Sequence, residues 1–361
     1  MALLFFVFLV VLLAGVPVFI ALAGSSLLYT HFIAGIPDFV ILHRMAGGID
    51  SFPLLAVPFF ILAGNLMNSA GITNRIYDFA VALAGWTRGG LAHVNILGSV
   101  IFAGMSGTAI ADAAGLGTIE IKAMQDHGYT TEFSVGVTAA SATLGPIIPP
   151  SLPFVIYGMM ANVSVGALFL AGILPGALMA ILMMLTVAYY AHKNNWGADI
   201  GFDWLRLGKA LGEMAVVIGW PLALWLLITK LGLPAQPTVL TGIVLLFAAD
   251  RMFNFQAVLP IMTPVLLIGG MSTGVFTPTE GAIAACVWAM ALGLFWYRTL
   301  TWKMFVKVCI DTVETTATVL FIVAAASIFG WMLTATGVTT AIASWVLDFT
   351  KEPWVFLILA N

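Results

Sequence analysis

Windows of about 20 apolar residues recur along most of this chain, and each is long enough to cross the hydrocarbon core of a bilayer as a helix. That recurrence fixes the class, because so many fully apolar segments cannot all be hidden inside a water-soluble core. Charged residues make up only 8% of the sequence, against roughly 25% in an ordinary soluble domain. Too few remain to build a surface that faces water, so an all-α, multi-pass membrane protein is expected. The net charge of −3 and the lack of any basic run exclude nucleic acid as a partner. The two cysteines, Cys286 and Cys309, lie in or beside apolar stretches, with no CxxC pair and no Cys/His cluster. They read as small packing residues, not as a zinc site or a disulfide framework.

Met1–Leu22 lacks a positively charged leader, and its apolar stretch exceeds the usual 7–15 residues of a signal peptide. It reads as a retained first helix. Two regions between apolar segments are basic: one holds Lys193, Arg206 and Lys209, the other Arg298, Lys303 and Lys307. Cationic loops favour the cytoplasmic side. Four candidate crossings lie between them, an even number that keeps both on one side. Residues 214–256 are expected to supply two of the four, as a helical hairpin around the proline-rich turn Leu233-Pro-Ala-Gln-Pro237.

Two segments stop at half the required length. Val94–Ala103 gives about 15 Å of helix, half of a core about 30 Å thick, before Gly104-Met-Ser-Gly-Thr108. Phe133–Leu144 is similarly short and meets Gly145-Pro-Ile-Ile-Pro-Pro-Ser151. Glycine loosens the backbone, and proline removes a donor and clashes with the turn before it. Both stretches are predicted to be non-helical and to approach each other near mid-membrane. Broken helices at that depth are where many secondary transporters bind ions and substrates.

A weak internal repeat runs beside these breaks. Phe60-Ile-Leu-Ala-Gly64 leads to Gly71-Ile72, and Ala326-Ser-Ile-Phe-Gly330 leads to Gly337-Val338; Gly15-Val16 has a counterpart in Gly274-Val275. Residues 1–213 thus read as a first repeat, with a hairpin at about 91–128 and a broken helix at about 133–161. Residues 257–361 read as the start of a second. The offsets from Gly64 to Ser106 and Gly145, applied to Gly330, point past Asn361. The sequence is therefore expected to lack the second hairpin and second broken helix, and not to transport alone.

Several polar residues stand out in this apolar setting. Thr108 and Asp112 are four apart and would share a helical face. An ionisable group inside a membrane is a functional candidate, unless Asp112 caps a helix. Asn65 and Asn68 would either hydrogen-bond between helices or line a pathway. Thr277-Pro-Thr279-Glu280 has the spacing of a capping box, so capping is favoured over substrate contact for Glu280. Gly104-Met-Ser106-Gly107 also matches the GxSG form of an intramembrane serine hydrolase, which would need a base within hydrogen-bond reach of Ser106.

At these residues the chain resembles the large membrane subunit of the tripartite ATP-independent periplasmic (TRAP) transporters, the DctM-like family. Phe102-Ala-Gly-Met-Ser-Gly-Thr-Ala-Ile-Ala-Asp-Ala-Ala-Gly-Leu-Gly117 is similar to the family's first hairpin, and Gly145–Ser151 to its broken helix. Gly274-Val-Phe-Thr-Pro-Thr-Glu280 and Ala324-Ala-Ala-Ser-Ile-Phe-Gly-Trp331 resemble its downstream signatures. The resemblance implies an ion-transporter fold with inverted repeats and an elevator motion. It implies sodium-coupled uptake of a small carboxylated solute, such as a C4-dicarboxylate or sialic acid, with no enzymatic activity and no cofactor beyond Na+. The implied partners are a small membrane subunit and a periplasmic substrate-binding protein, in a bacterial or archaeal inner membrane. The sodium site implied is Ser106, Gly107 and Thr108 with the carbonyls around Gly145, Ile148 and Pro150. Asn65, Asp112, Thr277 and Thr279 are candidates for the substrate pathway. A different ion-coupled carrier of related fold is the alternative.

Overall fold

The computed structural model describes residues 2–232, 234–255, 257–272 and 275–360. Gln256 and Gly274, both named above, lie outside them. Eighteen α-helices follow one another, and no strand occurs among the described residues. The chain divides into two compact units, Met1–Phe52 with Glu314–Asn361, and Pro53–Val313.

The first unit opens with α1 (Ala2–Leu13), α2 (Val18–Tyr29) and α3 (Phe39–Ile49). The expected single first helix is instead a hairpin: α1 ends at Leu13 and Gly15 takes φ +82°. A left-handed residue stops a right-handed helix, and glycine adopts it without penalty.

The second unit holds α4 (Ala56–Ser69), α5 (Ile72–Ala84), α6 (Gly90–Ser106), α7 (Ala109–Ala114) and α8 (Leu116–Asp126). It continues with α9 (Thr131–Ala142), α10 (Leu152–Ala161), α11 (Val165–Lys193), α12 (Trp204–Leu231), α13 (Ala235–Phe253), α14 (Val258–Ser272) and α15 (Pro278–Ala291). Helix α16 (Trp302–Ala335) leads out of this unit, and α17 (Val338–Phe349) and α18 (Pro353–Ala360) complete the first. Five segments are apolar and long enough to cross a membrane: Phe52–Ser69, Val165–Lys193, Trp204–Leu231, Pro278–Trp296 and Trp302–Ala335.

Side-chain caps set many of the starts. Thr130, Ser151, Ser164, Asp203 and Thr277 each accept a backbone N–H in the first turn of α9, α10, α11, α12 and α15. Such caps satisfy donors that a helix cannot pair internally. At α15 the capping box is complete, with the Glu280 carboxylate accepting the Thr277 N–H at 2.8 Å.

In the region expected to hold the extra hairpin, α12 and α13 follow one another. The first arm, α12, begins at Trp204, ten residues before the expected start, and the second, α13, runs for 19 residues. At 1.5 Å per residue the second arm is about 28 Å long, although its composition leaves it outside the five apolar segments above. Leu224 packs where a Cβ on Gly242 would sit, and Lys209 Nζ donates to the Asn254 carbonyl at 2.8 Å, so the arms are antiparallel. The Trp296 indole donates to Asp250 at 2.8 Å and the Arg75 guanidinium lies 4.0 Å from the Tyr297 ring centroid. Lys209 and Arg298 therefore belong to one end of this unit, as an even number of crossings between them requires.

Candidate functional site

Two chain breaks meet in the second unit. The first is shorter than the glycine content suggests. Helix α6 continues through Gly104, Met105 and Ser106, 17 residues in all, so the half-length argument fails for that helix. The break comes at Gly107, in the left-handed region at φ +63°, and at extended Thr108. Gly104 stays helical because its bare Cα serves packing: a Cβ there would lie 2.6 Å from the Pro264 side chain on α14. Thr108 does not share a helical face with Asp112. It is the N-cap of α7, and its hydroxyl accepts the Ala111 N–H at 3.1 Å.

The second break behaves as expected. Helix α9 has 12 residues, and Thr143–Ser151 is non-helical before α10. The Ser151 hydroxyl closes this loop, donating to the Pro146 carbonyl at 2.5 Å and accepting the Phe154 N–H at 3.3 Å.

The breaks are in direct contact. The Leu152 N–H donates to the Gly107 carbonyl at 3.3 Å. A Cβ on Gly107 would sit 2.5 Å from the Pro150 oxygen, and one on Gly145 would sit 2.9 Å from the Thr108 carbonyl. No side chain fits at either position. Of the six residues of the expected ion site, these contacts join Gly107 to Pro150 and Thr108 to Gly145, whereas Ser106 lies against Gly64 of α4 and Ile148 against Gly176 of α11. Ser106 is fully buried and its hydroxyl has no hydrogen-bond partner among the described residues. The carbonyls of Gly145, Ile148 and Pro150 accept no hydrogen bond there either. A buried polar oxygen without a partner costs about 1–3 kcal/mol. Oxygens of this kind are the ligands that a hard cation takes. Among the described residues no base hydrogen-bonds to the Ser106 hydroxyl, so the hydrolase reading lacks the activating partner it requires.

Other parts of the site were not singled out in the sequence. On α11, Gly172 and Gly176 lie against the second break; Cβ atoms there would come 2.5 Å from the Ile147 oxygen and 2.6 Å from Ile148. Their small-xxx-small spacing is a signal of close helix approach. Asn95, also fully buried, donates to Thr138 at 2.8 Å and accepts from Ser141 at 2.6 Å, fixing α6 against α9.

The remaining candidates separate. Asp112 caps nothing. It is buried, and neither of its carboxylate oxygens has a hydrogen-bond partner among the described residues. Glu120, equally buried, lies close enough for the two charges to interact, and its oxygens are also unpartnered. Asn65 joins α4 to α16, donating to Thr312 at 3.0 Å, and Asn68 accepts from Thr73 at 2.9 Å. Thr277 is committed to Glu280 in the capping box, and Thr279 is buried in the first turn of α15. Cys286 is buried with its thiol on the Phe59 carbonyl, whereas Cys309 is only partly covered.

Long apolar helices surrounding two touching chain breaks define a membrane transport protein of the secondary-carrier class. Comparison with known proteins identifies which one. The family model described as "Tripartite ATP-independent periplasmic transporter, DctM component" matches residues 5–361, including the α12–α13 hairpin. The chain belongs to this family of TRAP transporter large permeases. It is 39% identical over 97% of its length to the sialic acid TRAP transporter large permease protein SiaM of Vibrio cholerae, spanning 72% of that protein. It is 36% identical to the sialic acid TRAP transporter permease protein SiaT of Haemophilus influenzae, matching 98% of this chain and 51% of the relative. The C4-dicarboxylate large permease DctM of Pseudomonas aeruginosa is 32% identical over 86% of this chain and 63% of its own. The protein is a multi-pass membrane permease and not an enzyme.

Proposed function

We propose that this chain is the large permease subunit for sodium-coupled uptake of a small carboxylated solute across a bacterial inner membrane. In this reading it works with a small membrane subunit and a periplasmic binding protein, and an elevator motion carries the site. The observation that supports the coupling is the contact of the two breaks, Gly107 on Pro150 and Thr108 on Gly145, next to the buried, unpartnered Ser106 hydroxyl; this hydroxyl and the carbonyls of Gly145, Ile148 and Pro150 would offer oxygen to a cation. A sodium ion there would offset the cost of leaving these groups unpaired. The solute class rests on the relatives, whose names include sialic acid and C4-dicarboxylate permeases.

The test is sodium-dependent thermal stability of the purified chain, followed by uptake in proteoliposomes with its partner subunits and binding protein. Sodium at about 100 times its Kd should stabilise the chain by ~2.7 kcal/mol. Ser106→Ala should remove most of that gain while leaving the sodium-free melting temperature within ~1 °C or slightly raised, because it deletes an unpaired buried hydroxyl. An unchanged sodium response in Ser106→Ala, or uptake indifferent to the sodium gradient, would refute the assignment.

A further inference from the structure

At the end of the second unit where the basic regions gather, a groove of about 560 Å³ opens between the last turn of α13 and the turn that follows α15. Its walls are Phe247, Ala248, Arg251, Phe295, Trp296 and Arg298. Both arginines are exposed, and neither forms a salt bridge among the described residues. Arg251 lies 5.4 Å from the Trp296 ring centroid, and Phe247 meets that ring edge-on at 4.7 Å. The aromatic cluster therefore presents the guanidinium as a cation–π contact does. Asp250, next to Arg251 in the chain, is buried and does not line the groove, although the Arg251 charge acts on it. It accepts the Trp296 indole N–H at 2.8 Å, and the charges of Arg75 and Lys209 also act on it.

Three other grooves on this unit differ in kind. One beside α9 and α11 is apolar but includes Glu132, one between α12 and α13 has no charged residue, and one at the start of α12 carries Asp203 and Glu213 beside its cations. The Arg251–Arg298 groove alone among these four joins two cations to an aromatic wall with no carboxylate. Its depth in the membrane follows from the helices that form it. The apolar run of α13 ends at Asp250-Arg251, and that of α15 ends at Phe295-Trp-Tyr-Arg298. Aromatic residues followed by arginine mark the headgroup level of a bilayer. Exposed Met252, Phe253 and Trp302 extend the apolar surface on either side.

We propose that this groove binds the headgroup of an anionic phospholipid, with Arg251 and Arg298 holding the phosphodiester and the exposed aromatic side chains lying along its acyl chains. Guanidinium forks suit phosphate oxygens, and basic pockets at helix ends are the sites where such lipids are recognised. A zwitterionic lipid carries a cation of its own, which the arginines oppose.

The experiment is electron spin resonance on the purified chain in phosphatidylcholine vesicles doped with spin-labelled phosphatidylglycerol, with spin-labelled phosphatidylcholine as the reference. The wild-type chain should hold a motionally restricted phosphatidylglycerol population. The selectivity for it should fall roughly fivefold in Arg251→Gln or Arg298→Gln and roughly thirtyfold in the double variant. The charge-conserving double variant, Arg251→Lys with Arg298→Lys, should retain most of it. Inorganic phosphate at high concentration should leave the restricted population unchanged. Unaltered selectivity in the double glutamine variant overturns the proposal; displacement by phosphate assigns the groove to a soluble anion; loss of the restricted lipid when the small subunit is co-reconstituted assigns it to a protein interface. Should the double variant not fold, photoreactive phosphatidylglycerol on the wild-type chain gives the answer. Crosslinks at residues 247–251 and 295–298 support the site, and crosslinks only elsewhere exclude it.

Discussion

At Gly64–Gly71 and again at Gly330–Gly337 the chain makes the same turn. Gly71 and Gly337 take φ/ψ of 71°/16° and 74°/10°, and each is the N-cap of the helix that follows. The helix before each ends alike, with Ala70 N bonded to the Leu66 carbonyl at 2.8 Å and Thr336 N to that of Met332 at 3.1 Å. The surroundings differ. Helix α5 buries seven residues, among them Ile72, Ile76 and Phe79, whereas α17 buries none among those described. A Cβ on Gly64 would come 3.3 Å from that of Ser106, while one on Gly330 would meet nothing within 4 Å among the described residues. Two glycines of one motif thus answer to different demands. Gly71 and Gly337 serve the local backbone, which needs a left-handed residue wherever the turn occurs. Gly64 serves a neighbour, the end of the hairpin helix that carries Ser106, and Gly330 has no such neighbour among the described residues.

The sharpest way to break that comparison is a large residue at both mid-helix glycines. Gly64→Leu should destabilise the purified chain by about 3 kcal/mol, as overpacking against Ser106 forces the hairpin away. Gly330→Leu should be neutral or stabilising by up to ~1 kcal/mol, because leucine favours helix and has space. Thermal unfolding in detergent measures both, and equal losses would mean that the two glycines serve the same packing role. Sodium sharpens the result: Gly64→Leu should also lose the sodium-induced stabilisation, because Ser106 is displaced, and Gly330→Leu should keep it.

The left-handed glycines should instead behave alike. Gly71→Ala and Gly337→Ala should each cost about 1–2 kcal/mol, the penalty of a left-handed conformation for a residue with a Cβ. Denaturant titration of the two variants tests this, and a difference above ~1 kcal/mol would show that burial of α5, not the turn itself, sets the cost.

How much of this could be read in the sequence follows the same division. The turn glycines, the loop at Gly145–Ser151 and the Thr277–Glu280 cap are local chemistry, and all were legible. The extent of the first break was not. Gly104-Met-Ser-Gly107 contains two glycines, and nothing in the chain says that Gly104 makes room for Pro264 while Gly107 supplies the turn. Asn95 and Glu120 sit in helices of ordinary appearance, and only the packing of α6 against α8 and α9 buries them. The contacts of Asp199, which accepts from Leu91 N at 2.8 Å and Tyr129 Oη at 2.6 Å, link positions 108 and 70 residues apart. No spacing rule reaches that far. That the two breaks would meet was expected from a half-length helix before each, which holds for α9 but not for α6, together with their glycine and proline content, whereas the bare Cα atoms of Gly107 and Gly145 that allow the contact became evident only in three dimensions.

The smallest effect concerns the residue after each mid-helix glycine. Asn65 donates to Thr312 on α16 at 3.0 Å, and Trp331 receives the Arg44 guanidinium 4.9 Å from its ring centroid. Both tie the repeated helix to another, one through a hydrogen bond and one through a cation over an aromatic face. Hydrogen bonds between helices in a membrane average about 0.6 kcal/mol, because the unfolded helices also find partners in the bilayer. An exposed cation–π contact is worth about 0.5–1 kcal/mol. Double-mutant cycles on Asn65→Ala with Thr312→Val, and on Arg44→Met with Trp331→Leu, should therefore return similar coupling energies, each under ~1 kcal/mol. They should separate by ionic strength. Salt screens a charge near water but acts little on a neutral pair, so the Arg44–Trp331 coupling should weaken between about 0.05 M and 1 M salt while the Asn65–Thr312 coupling stays constant. A cycle at Asn65–Thr312 that exceeds about 2 kcal/mol would mean that this pair does more than join helices, and would return Asn65 to the candidates for the substrate pathway.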